Sequence, residues 1–456
     1  MNIRVTLAVI GCKFTRFALR MLGRGGTDFP GRVALKLCPG ALEYLAKNVT
    51  TIIVTGTNGK TTTARMIEQS LADSGISYFA NKSGANLLSG VTAEFAMHAS
   101  LSGKCKYEYA VIESDEAAFK TIGKLVNPKV VVVTNVFSDQ LDRYGDIGQT
   151  LENIRIGISH SKEAVLCLNA DDSISGSLAE GVENPVVFYG VDKPIYRNKV
   201  EEVSDAPFCR KCGHEYTYDY VTYGHLGGYR CPECGCSRRS PQVSVSEVLV
   251  SDAEHSEVVF RDGDQNYPAV IGQPGGYNIY NACSTMACGK ALGLNLAVTA
   301  KALSAFSCGF GRMEKFDISG VPLRMILIKN PAGCNQVLNF LTQMTEPFNF
   351  AVCLSDKTQD GRDISWIWDV DIERLTAMGD TLSHVLISGN RAADMAVRFK
   401  YAGMPAERIQ VIPDYLELTK TCVSLGKPCY IMPTYTAMLD LRSTISKNFG
   451  FKAFWE

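Results

Sequence analysis

Long apolar runs are missing from this 456-residue sequence: no stretch approaches the roughly 18 consecutive apolar residues of a membrane-spanning helix. Internal repeats and low-complexity tracts are also missing, which favours ordinary globular domains. The formal net charge is only −1, so overall charge favours neither nucleic acid nor an anionic membrane as a partner. What is present is a chain with 46% hydrophobic residues, long enough for about two or three domains with their own cores.

Cysteine, in contrast, is abundant, with sixteen residues. Most of them stand singly in apolar segments, as buried thiols do. Examples are Cys167, Cys283, Cys353 and Cys429. Together with the glycine-containing segment 56–62, this distribution predicts a reducing cytoplasmic environment rather than a disulfide framework.

The most informative segment is an apolar strand, residues 52–54, that runs into a glycine loop and then into a helix. The loop residues are Gly56, Thr57, Asn58, Gly59, Lys60, Thr61 and Thr62. Glycines let backbone N–H groups approach a phosphate, and the positive end of the helix dipole adds to the attraction. Lys60 is placed to neutralise the terminal phosphates, and the Thr61 hydroxyl is placed to bind Mg²⁺. The segment predicts ATP binding.

Short β-rich runs alternate with helical patterns from about residue 50 to 195, and again from about residue 323 onward. The predicted strands are 51–55, 109–113, 130–135, 164–169, 186–189, 350–354, 384–387 and 429–431. Their continuous apolarity is typical of parallel strands buried on both faces. We therefore predict an α/β fold with an N-terminal helical segment (1–48), a central ATP-binding domain with a parallel sheet (49–318) and a smaller α/β C-terminal domain (319–456).

The first thirty residues predict an amphipathic helix. Ile10, Phe14, Phe17 and Met21 recur at helical spacing, with basic residues between them. Such a helix either packs on the body of the protein or contacts a membrane surface. We expect packing, because docked helices of this kind are common.

A cysteine cluster interrupts the central domain between residues 197 and 243. Cys209, Cys212, Cys231 and Cys234 form two C-x₂-C pairs at a spacing that is typical of a four-thiolate zinc ribbon. A closed site of this kind leaves no open position for catalysis, so we predict a structural Zn²⁺. Cys236 is a fifth thiol beside the site and is the alternative to Cys234 as the fourth ligand. His214 and His225 also lie nearby, and we expect both to be solvated loop residues.

Carboxylates follow three of the predicted strands. Glu113 comes at the end of a buried strand on the sheet edge that carries the phosphate loop, and it is the best Mg²⁺ ligand candidate. Asp139 and Asp171 follow two further strands. Three acidic strand ends on one sheet, together with the glycine loop, favour a nucleotide–metal site over isolated helix caps.

The order of these motifs resembles the Mur ligases, ATP-dependent enzymes that activate a carboxylate as an acyl phosphate for attack by an amine. The motifs are T-G-T-N-G-K-T-T (55–62), E-S-D-E (113–116), T-N-V-F-S-D-Q-L-D-R-Y-G (134–145), L-N-A-D-D (168–172), G-Q-P-G-G-Y-N-I-Y-N (272–281) and G-R-M-E (311–314). The cysteine ribbon and the segment D-G-R-D-I-S-W-I-W-D (360–369) are similar, more narrowly, to the MurT family of lipid II isoglutaminyl synthase subunits. The resemblance covers nearly the whole chain.

The resemblance implies roles for several residues. Lys60 and Thr61 would bind the β/γ-phosphates and Mg²⁺, with Glu113 on the metal. Asn278 and Asn281 would lie by the adenine or ribose, and Arg312 near the acyl phosphate. A GatD-like glutamine amidotransferase would form a heterodimer with this chain and supply ammonia.

In the MurT family an aspartate of the D-G-R-D segment orients the catalytic histidine of that partner. Asp363 is our choice for this role, and Asp360 is the alternative. A purely structural interpretation is that Asp363 caps a loop or a helix. None of the six histidines stands beside a candidate nucleophilic cysteine, so we expect no glutamine hydrolysis in this chain itself. The implied substrate is lipid II, amidated at the inner face of the membrane.

Three departures from the Mur pattern stand out. Gln140 follows Asp139 where Mur ligases usually carry histidine, and no lysine between Asn135 and Ser161 is available for carbamylation. The D-N-P-R segment of the amino-acid-adding ligases is also absent, which fits ammonia as the nucleophile.

Two other functions compete with this one. An amino-acid-adding Mur or folylpolyglutamate-type ligase needs an amino-acid pocket in residues 320–456, and the absent D-N-P-R segment argues against it. A zinc-ribbon ATPase that binds nucleic acid predicts strongly salt-dependent affinity, and the near-neutral charge argues against it.

Overall fold

Two large sheets, each with a parallel core and a covering of helices, and one two-stranded hairpin form the architecture. Three N-terminal helices pack on helices that cover the first sheet. The computed structural model describes residues 2–21, 28–81, 85–138, 147–195, 204–252, 254–306 and 312–451. The predicted α/β class is confirmed. The predicted domain boundaries stay predictions.

The strands follow in chain order. They are β1 (Thr50–Thr55), β2 (Tyr78–Ala80), β3 (Tyr109–Glu113), β4 (Val130–Val133), β5 (Val165–Asn169), β6 (Val186–Val191), β7 (Thr217–Tyr223), β8 (Leu226–Arg230), β9 (Val243–Ser251), β10 (Ser256–Asp262), β11 (Gln265–Ile271), β12 (Arg312–Ile318), β13 (Val321–Ile326), β14 (Phe348–Cys353), β15 (Leu382–Ser388), β16 (Ile409–Val411) and β17 (Cys429–Pro433).

The α-helices are labelled in the same way. They are α1 (Ile3–Met21), α2 (Asp28–Leu37), α3 (Ala41–Ala46), α4 (Lys60–Asp73), α5 (Leu88–His98), α6 (Glu116–Val126), α7 (Ile147–Ser159), α8 (Ser173–Gly176), α9 (Gly276–Leu292), α10 (Leu296–Ala305), α11 (Pro331–Leu341), α12 (Glu373–Thr376), α13 (Ala392–Tyr401), α14 (Tyr415–Ser424) and α15 (Tyr435–Phe449).

The first sheet has the strand order β2-β3-β1-β4-β5-β6-β9-β10-β11. Neighbouring strands from β2 to β9 run parallel, so their carboxyl ends share one edge. The Val130–Val133 run is fully buried, as expected for a strand covered on both faces. Helices on both sides complete two apolar cores. This arrangement brings the phosphate loop after β1 next to the acidic end of β3.

The antiparallel strands β9, β10 and β11 were not predicted from the sequence. Residues 243–246 alternate as Val-Ser-Val-Ser; the first three are all buried, and half-buried and exposed residues alternate from Ser246 to Ser251. This pattern is typical of a strand with one solvated face. A search for continuous apolar runs overlooks it.

The second sheet has the strand order β12-β13-β17-β14-β15-β16, with β12 antiparallel to β13 and the other pairs parallel. Strand β12 lies within the range predicted for the central domain, yet it pairs into this second sheet. Residues of α11, α13, α14 and α15 bury their apolar sides against it.

Helix α1 is docked on the body, as expected, but by the face opposite to the predicted one. Its buried side chains include Val5, Ala8, Val9 and Cys12, and the stripe that contains Phe14 faces solvent. Small side chains on the inner face let α1 approach α2 and α5 closely, which bulky phenylalanines would prevent. In the part of the chain that the structure describes, no helix is long and apolar enough to cross a bilayer.

The close approach of α2 to α5 generates a stability prediction. A methyl group on Gly31 would overlap the carbonyl oxygen of Ser89. We expect Gly31→Ala to lower the free energy of unfolding by about 1–3 kcal/mol, because the two helices must separate. Gly40→Ala is the matched control, since Gly40 has open space around it and we expect a change within about 0.5 kcal/mol. Urea unfolding measures both, and equal losses would contradict the prediction.

Candidate active site

The phosphate loop joins β1 to α4 and is held in shape by a neighbouring strand end. Gly56 and Gly59 have φ angles of 117° and 85°, which side-chain-bearing residues rarely adopt. The Asn58 backbone N–H donates to Asn135 Oδ1 at 3.0 Å, and Asn135 Nδ2 donates to the Asn58 carbonyl at 3.1 Å. Phe137 N donates to Thr57 Oγ1 at 3.0 Å. The loop is therefore braced by residues that follow β4.

Lys60 is buried at the first position of α4. Its Nζ donates to Glu116 Oε1 at 2.9 Å, to the Gly56 carbonyl at 2.5 Å and to the Thr57 carbonyl at 3.3 Å. Burial alone would lower the pKa of Lys60, but the carboxylates of Glu116, Glu113 and Asp115 outweigh burial and raise it. Lys60 is thus a permanent cation inside the phosphate loop.

Glu113 and Thr61 lie together beside this lysine. Thr61 Oγ1 donates to Glu113 Oε2 at 2.8 Å. The Glu113 backbone is fixed on both sides by Asn81, whose Oδ1 accepts from Glu113 N and whose Nδ2 donates to the Glu113 carbonyl, each at 2.8 Å. A hydroxyl and a carboxylate side by side are hard oxygen donors, which is the ligand chemistry that Mg²⁺ prefers. The residues present therefore fit this metal.

Helix α9 brings two asparagines to the same place. Asn281 Nδ2 donates to Asn278 Oδ1 at 3.1 Å, and Asn281 Oδ1 accepts from Thr63 Oγ1 at 3.3 Å. A methyl group on Gly59 would overlap Asn281 Oδ1, so the phosphate loop and α9 are in direct contact. Arg312 begins β12, and its side chain lies outside the described residues.

A cavity of about 240 Å³ lies between the two sheets and joins these groups. The first sheet contributes loop residues 57–62 together with Glu113, Asn278 and Asn281. The second contributes Lys329 and residues of α11 and α15, among them Tyr435. The structure thus gathers the predicted loop, metal-ligand and asparagine positions in one cavity that both sheets enclose.

The insertion that carries the cysteine cluster is connected to the first sheet through the buried carboxylate of Asp171. Asp171 accepts hydrogen bonds from Arg238 Nε at 2.6 Å, from Tyr280 Oη at 2.6 Å and from the Val191 backbone N–H at 2.8 Å. Burial raises its pKa, and the Arg238 guanidinium acts against that rise. This contact connects β5, the end of the insertion and helix α9.

The expectation of a solvated His225 is wrong. Its side chain is fully buried, and its Nε2 lies 3.0 Å from Asp172 Oδ1, beneath the ring of Phe137. The adjacent hairpin β7–β8 folds onto the sheet and draws this histidine into the interior. His214 is exposed, as expected.

The four predicted cysteines converge. Cys209, Cys212, Cys231 and Cys234 offer sulfur atoms that all lie within 4.8 Å of one another. Four thiols at this spacing fit a tetrahedral Zn²⁺. Cys236 lies outside this group and contacts the Tyr216 hydroxyl at 4.0 Å, so it does not take the place of Cys234.

The two aspartates of the D-G-R-D segment occupy different environments. Asp360 is buried and accepts from the Thr436 backbone N–H at 2.7 Å, at the start of α15. Asp363 is exposed, and its pKa is lowered by hydrogen bonds from the Ser365 side chain and backbone. It lines a surface groove together with Trp368 and other residues of the helical turn Ser365–Asp369 and of α13.

Sequence reasoning did not assign two residues that the structure places in the site. Glu116 pairs with Lys60, and Asn135 braces the loop. Glu116 belongs to the motif at 113–116, and Asn135 to the motif at 134–145. Each lies within three residues of the end of a strand, and that position was the sequence signal that could have identified it. Asp139 and Gln140 lie outside the described residues.

Comparison with known proteins identifies the family. The family model for the Mur ligase middle domain matches residues 54–216, and that for the MurT ligase C-terminal region matches residues 327–438. A Streptococcus pneumoniae protein named lipid II isoglutaminyl synthase (glutamine-hydrolyzing) subunit MurT is 34% identical over 450 residues, covering 98% of each chain. The chain belongs to the MurT family.

A second relative agrees with this membership, and a solved structure shares the fold. A Staphylococcus aureus MurT subunit is 32% identical, covering 96% of this chain and 97% of its own length. A pseudomurein peptide ligase type C from Methanothermus fervidus superposes with a TM-score of 0.68 at 21% identity, over 89% of this chain and 80% of that one. The latter shows the fold. As a MurT-family protein, the chain is an ATP-dependent ligase.

The contact between the phosphate loop and α9 generates a binding prediction. We expect Gly59→Ala to weaken binding of a non-hydrolysable ATP analogue by about tenfold or more, because the methyl group displaces Asn281. Gly75→Ala, just beyond the other end of α4, is the matched control: its φ of 73° brings the same backbone strain but no collision. Calorimetry on the full chain measures both. Equal weakening would assign the effect to strain rather than to Asn281.

The cysteine cluster generates a metal prediction. Purified, reduced protein should contain about one equivalent of zinc, and Cys231→Ser should remove most of it. Cys236→Ser should retain the metal, because Cys236 lies outside the converging group. Elemental analysis measures the zinc content of each variant. A content well under one equivalent of zinc in the unaltered protein would contradict the assignment.

Proposed function

We propose that this chain activates the α-carboxylate of D-glutamate in the lipid II stem peptide as an acyl phosphate and converts it to D-isoglutamine with ammonia. The ammonia comes from a GatD-like glutamine amidotransferase that forms a heterodimer with this chain. The observation that carries the proposal is the cavity between the two sheets, where Lys60, Thr61 and Glu113 converge. The names of the MurT relatives support the substrate and the reaction.

The first step is phosphoryl transfer. A carboxylate oxygen of the substrate attacks the γ-phosphorus of ATP, the bond to the β-phosphate oxygen breaks, and ADP leaves. Lys60 stabilises the charge on the transferring group, and the backbone N–H groups of the loop orient the phosphates. Thr61 and Glu113 would hold Mg²⁺, whose chemistry is to neutralise phosphate charge.

The second step is displacement by ammonia. Its nitrogen attacks the acyl carbon, the carbon–oxygen bond to phosphate breaks, and the amide loses a proton to leave D-isoglutamine and inorganic phosphate. Ammonia must arrive unprotonated, which supports a dedicated partner and an enclosed route. The cavity is walled by α11 and α15 of the second sheet, which keep bulk water away from the acyl phosphate.

Asp363 is the residue that we propose to reach the partner. It is exposed, hydrogen bonds from Ser365 lower its pKa, and it borders a groove. A carboxylate there can fix the tautomer of a histidine that serves a cysteine nucleophile. The buried Asp360 instead ties the same loop to α15, which lines the cavity, and so it positions Asp363.

We propose further that the chain works in the cytoplasm at the inner face of the membrane, because lipid II is anchored there by its lipid. The zinc ribbon has a structural role. Its hairpin contributes Tyr223 to the cavity wall, next to Phe137.

The decisive measurement is amidation of lipid II with ATP, Mg²⁺ and ammonium chloride in the absence of a partner. Mass spectrometry should find a loss of about one mass unit on D-glutamate, since NH₂ replaces OH. Glutamine should support the reaction only when the amidotransferase is added. Incorporation of an amino acid in place of ammonia would establish the amino-acid-adding alternative and overturn the proposal.

The role of Asp363 has its own test. Asp363→Asn should lower glutamine-dependent amidation by about 10²-fold or more, while ammonium-dependent amidation stays unchanged. Asp369→Asn is the matched control, an exposed aspartate at the end of the same turn. Loss of both routes in Asp363→Asn would place the residue in the ligase reaction itself.

A further inference from the structure

Helix α1 is apolar on two opposite faces, and only one of them is covered. At 100° per residue, Val5, Ala8, Val9 and Cys12 fall within an arc of about 100°. These side chains are buried against the neighbouring helices α2, α3 and α5. The second apolar face points the other way.

Polar anchors fix the orientation of the helix. Arg16 forms an ion pair with the buried Glu94 at 3.1 Å, and Lys13 Nζ donates to the Ala99 carbonyl at 2.6 Å. These bonds join α1 to α5 and to the residue after it. Because both sit on the inner side, α1 cannot rotate to bury its outer face without breaking them.

The outer face is a continuous apolar stripe. The stripe consists of Ile3, Leu7, Ile10, Phe14, Phe17 and Met21, which fall within an arc of about 80°. Exposure is high along it, at 70% for Phe14, 63% for Phe17 and 74% for Met21. Leu37 of α2, 45% exposed, lies against Gly11 and extends the same surface. An apolar surface of this length is typical of an interaction site.

The charge around the stripe selects the kind of partner. The first 27 residues contain five lysines and arginines and no acidic residue, so this end carries a formal charge of +5 and the remainder −6. Arg4 and Arg20 are exposed beside the stripe. An anionic bilayer surface attracts such an end and accepts phenylalanines at its headgroup boundary. A second copy of this chain would instead bring two positive helices together.

We propose that the stripe of α1, with its flanking arginines, is a docking surface for an anionic lipid bilayer. The helix lies in the plane of the interface, with Phe14 and Phe17 inserted among the headgroups. Helix α5, on which α1 rests, begins next to Asn86 at the wall of the cavity. Docking would thereby hold the cavity close to a lipid-linked substrate, a consequence that rests on the proposed function.

The test is sedimentation of the full chain with vesicles, without ATP or substrate. We expect binding to vesicles of phosphatidylcholine and phosphatidylglycerol at 3:1 to exceed binding to pure phosphatidylcholine by about tenfold or more. Phe14→Asp with Phe17→Asp should abolish it. Arg4→Gln with Arg20→Gln should reduce the preference for anionic vesicles by about fivefold for each arginine.

The matched control is Leu249→Asp with Val270→Asp. Both residues are exposed apolar side chains on the first sheet, far along the chain, and the charge change is the same. We expect this variant to sediment as the unaltered protein does. Melting temperature and zinc content of each variant confirm that the fold is intact.

Two outcomes would overturn the proposal. One is equal sedimentation of the Phe14/Phe17 variant and the control. Another is a doubled mass in analytical ultracentrifugation that Phe14→Asp with Phe17→Asp abolishes, which would assign the stripe to self-association. Amidation of detergent-solubilised lipid II does not need the stripe. Failure of that assay with intact vesicle binding would therefore count against the proposed function and not against the docking surface.

Discussion

The buried charge of Lys60 is the constraint on which the site depends. A cation removed from water is costly unless carboxylates and carbonyls surround it, and here Glu116 and the carbonyl oxygens of Gly56 and Thr57 do so. This requirement places the acidic end of β3 beside the loop after β1, which only a parallel pairing of adjacent strands achieves. The same pairing delivers Glu113 to Thr61. The order of the central strands thus supplies both the carboxylate that compensates Lys60 and the one beside Thr61.

A second constraint is that neither sheet can enclose the reaction alone. The phosphate loop and its acidic neighbours belong to the first sheet, whereas Lys329 and Tyr435 come from the second. Asn330 Nδ2, just before α11, donates to Asn58 Oδ1 at 3.3 Å and so connects the second sheet directly to the phosphate loop.

Much of this arrangement was predictable from the sequence, because the chemistry is local. The phosphate loop, the carboxylate at the end of β3 and the cysteine pairs each occupy a few consecutive residues. The ion pair between Lys60 and Glu116 was overlooked, although Glu116 lies within three residues of the end of β3, because Glu113 was taken as the acidic residue at that strand end. The orientation of α1 was missed for a different reason: Val5 and Phe14 lie on opposite apolar faces, and periodicity alone does not say which face turns inward. His225 was misjudged because the hairpin that carries it folds back onto Asp172.

The carboxylate of Asp171 limits how the insertion that carries the four cysteines can be removed. It is satisfied by Arg238, at the end of the insertion, and by Tyr280, on the helix that carries Asn278 and Asn281. Excising the ribbon together with Arg238 would leave the buried Asp171 carboxyl without its cation, at a cost of about 3–5 kcal/mol. A shortened chain would therefore need a compensating replacement of Asp171 by a neutral residue. The insertion is consequently anchored to the sheet beneath it through one buried aspartate, which its removal would leave without a cation.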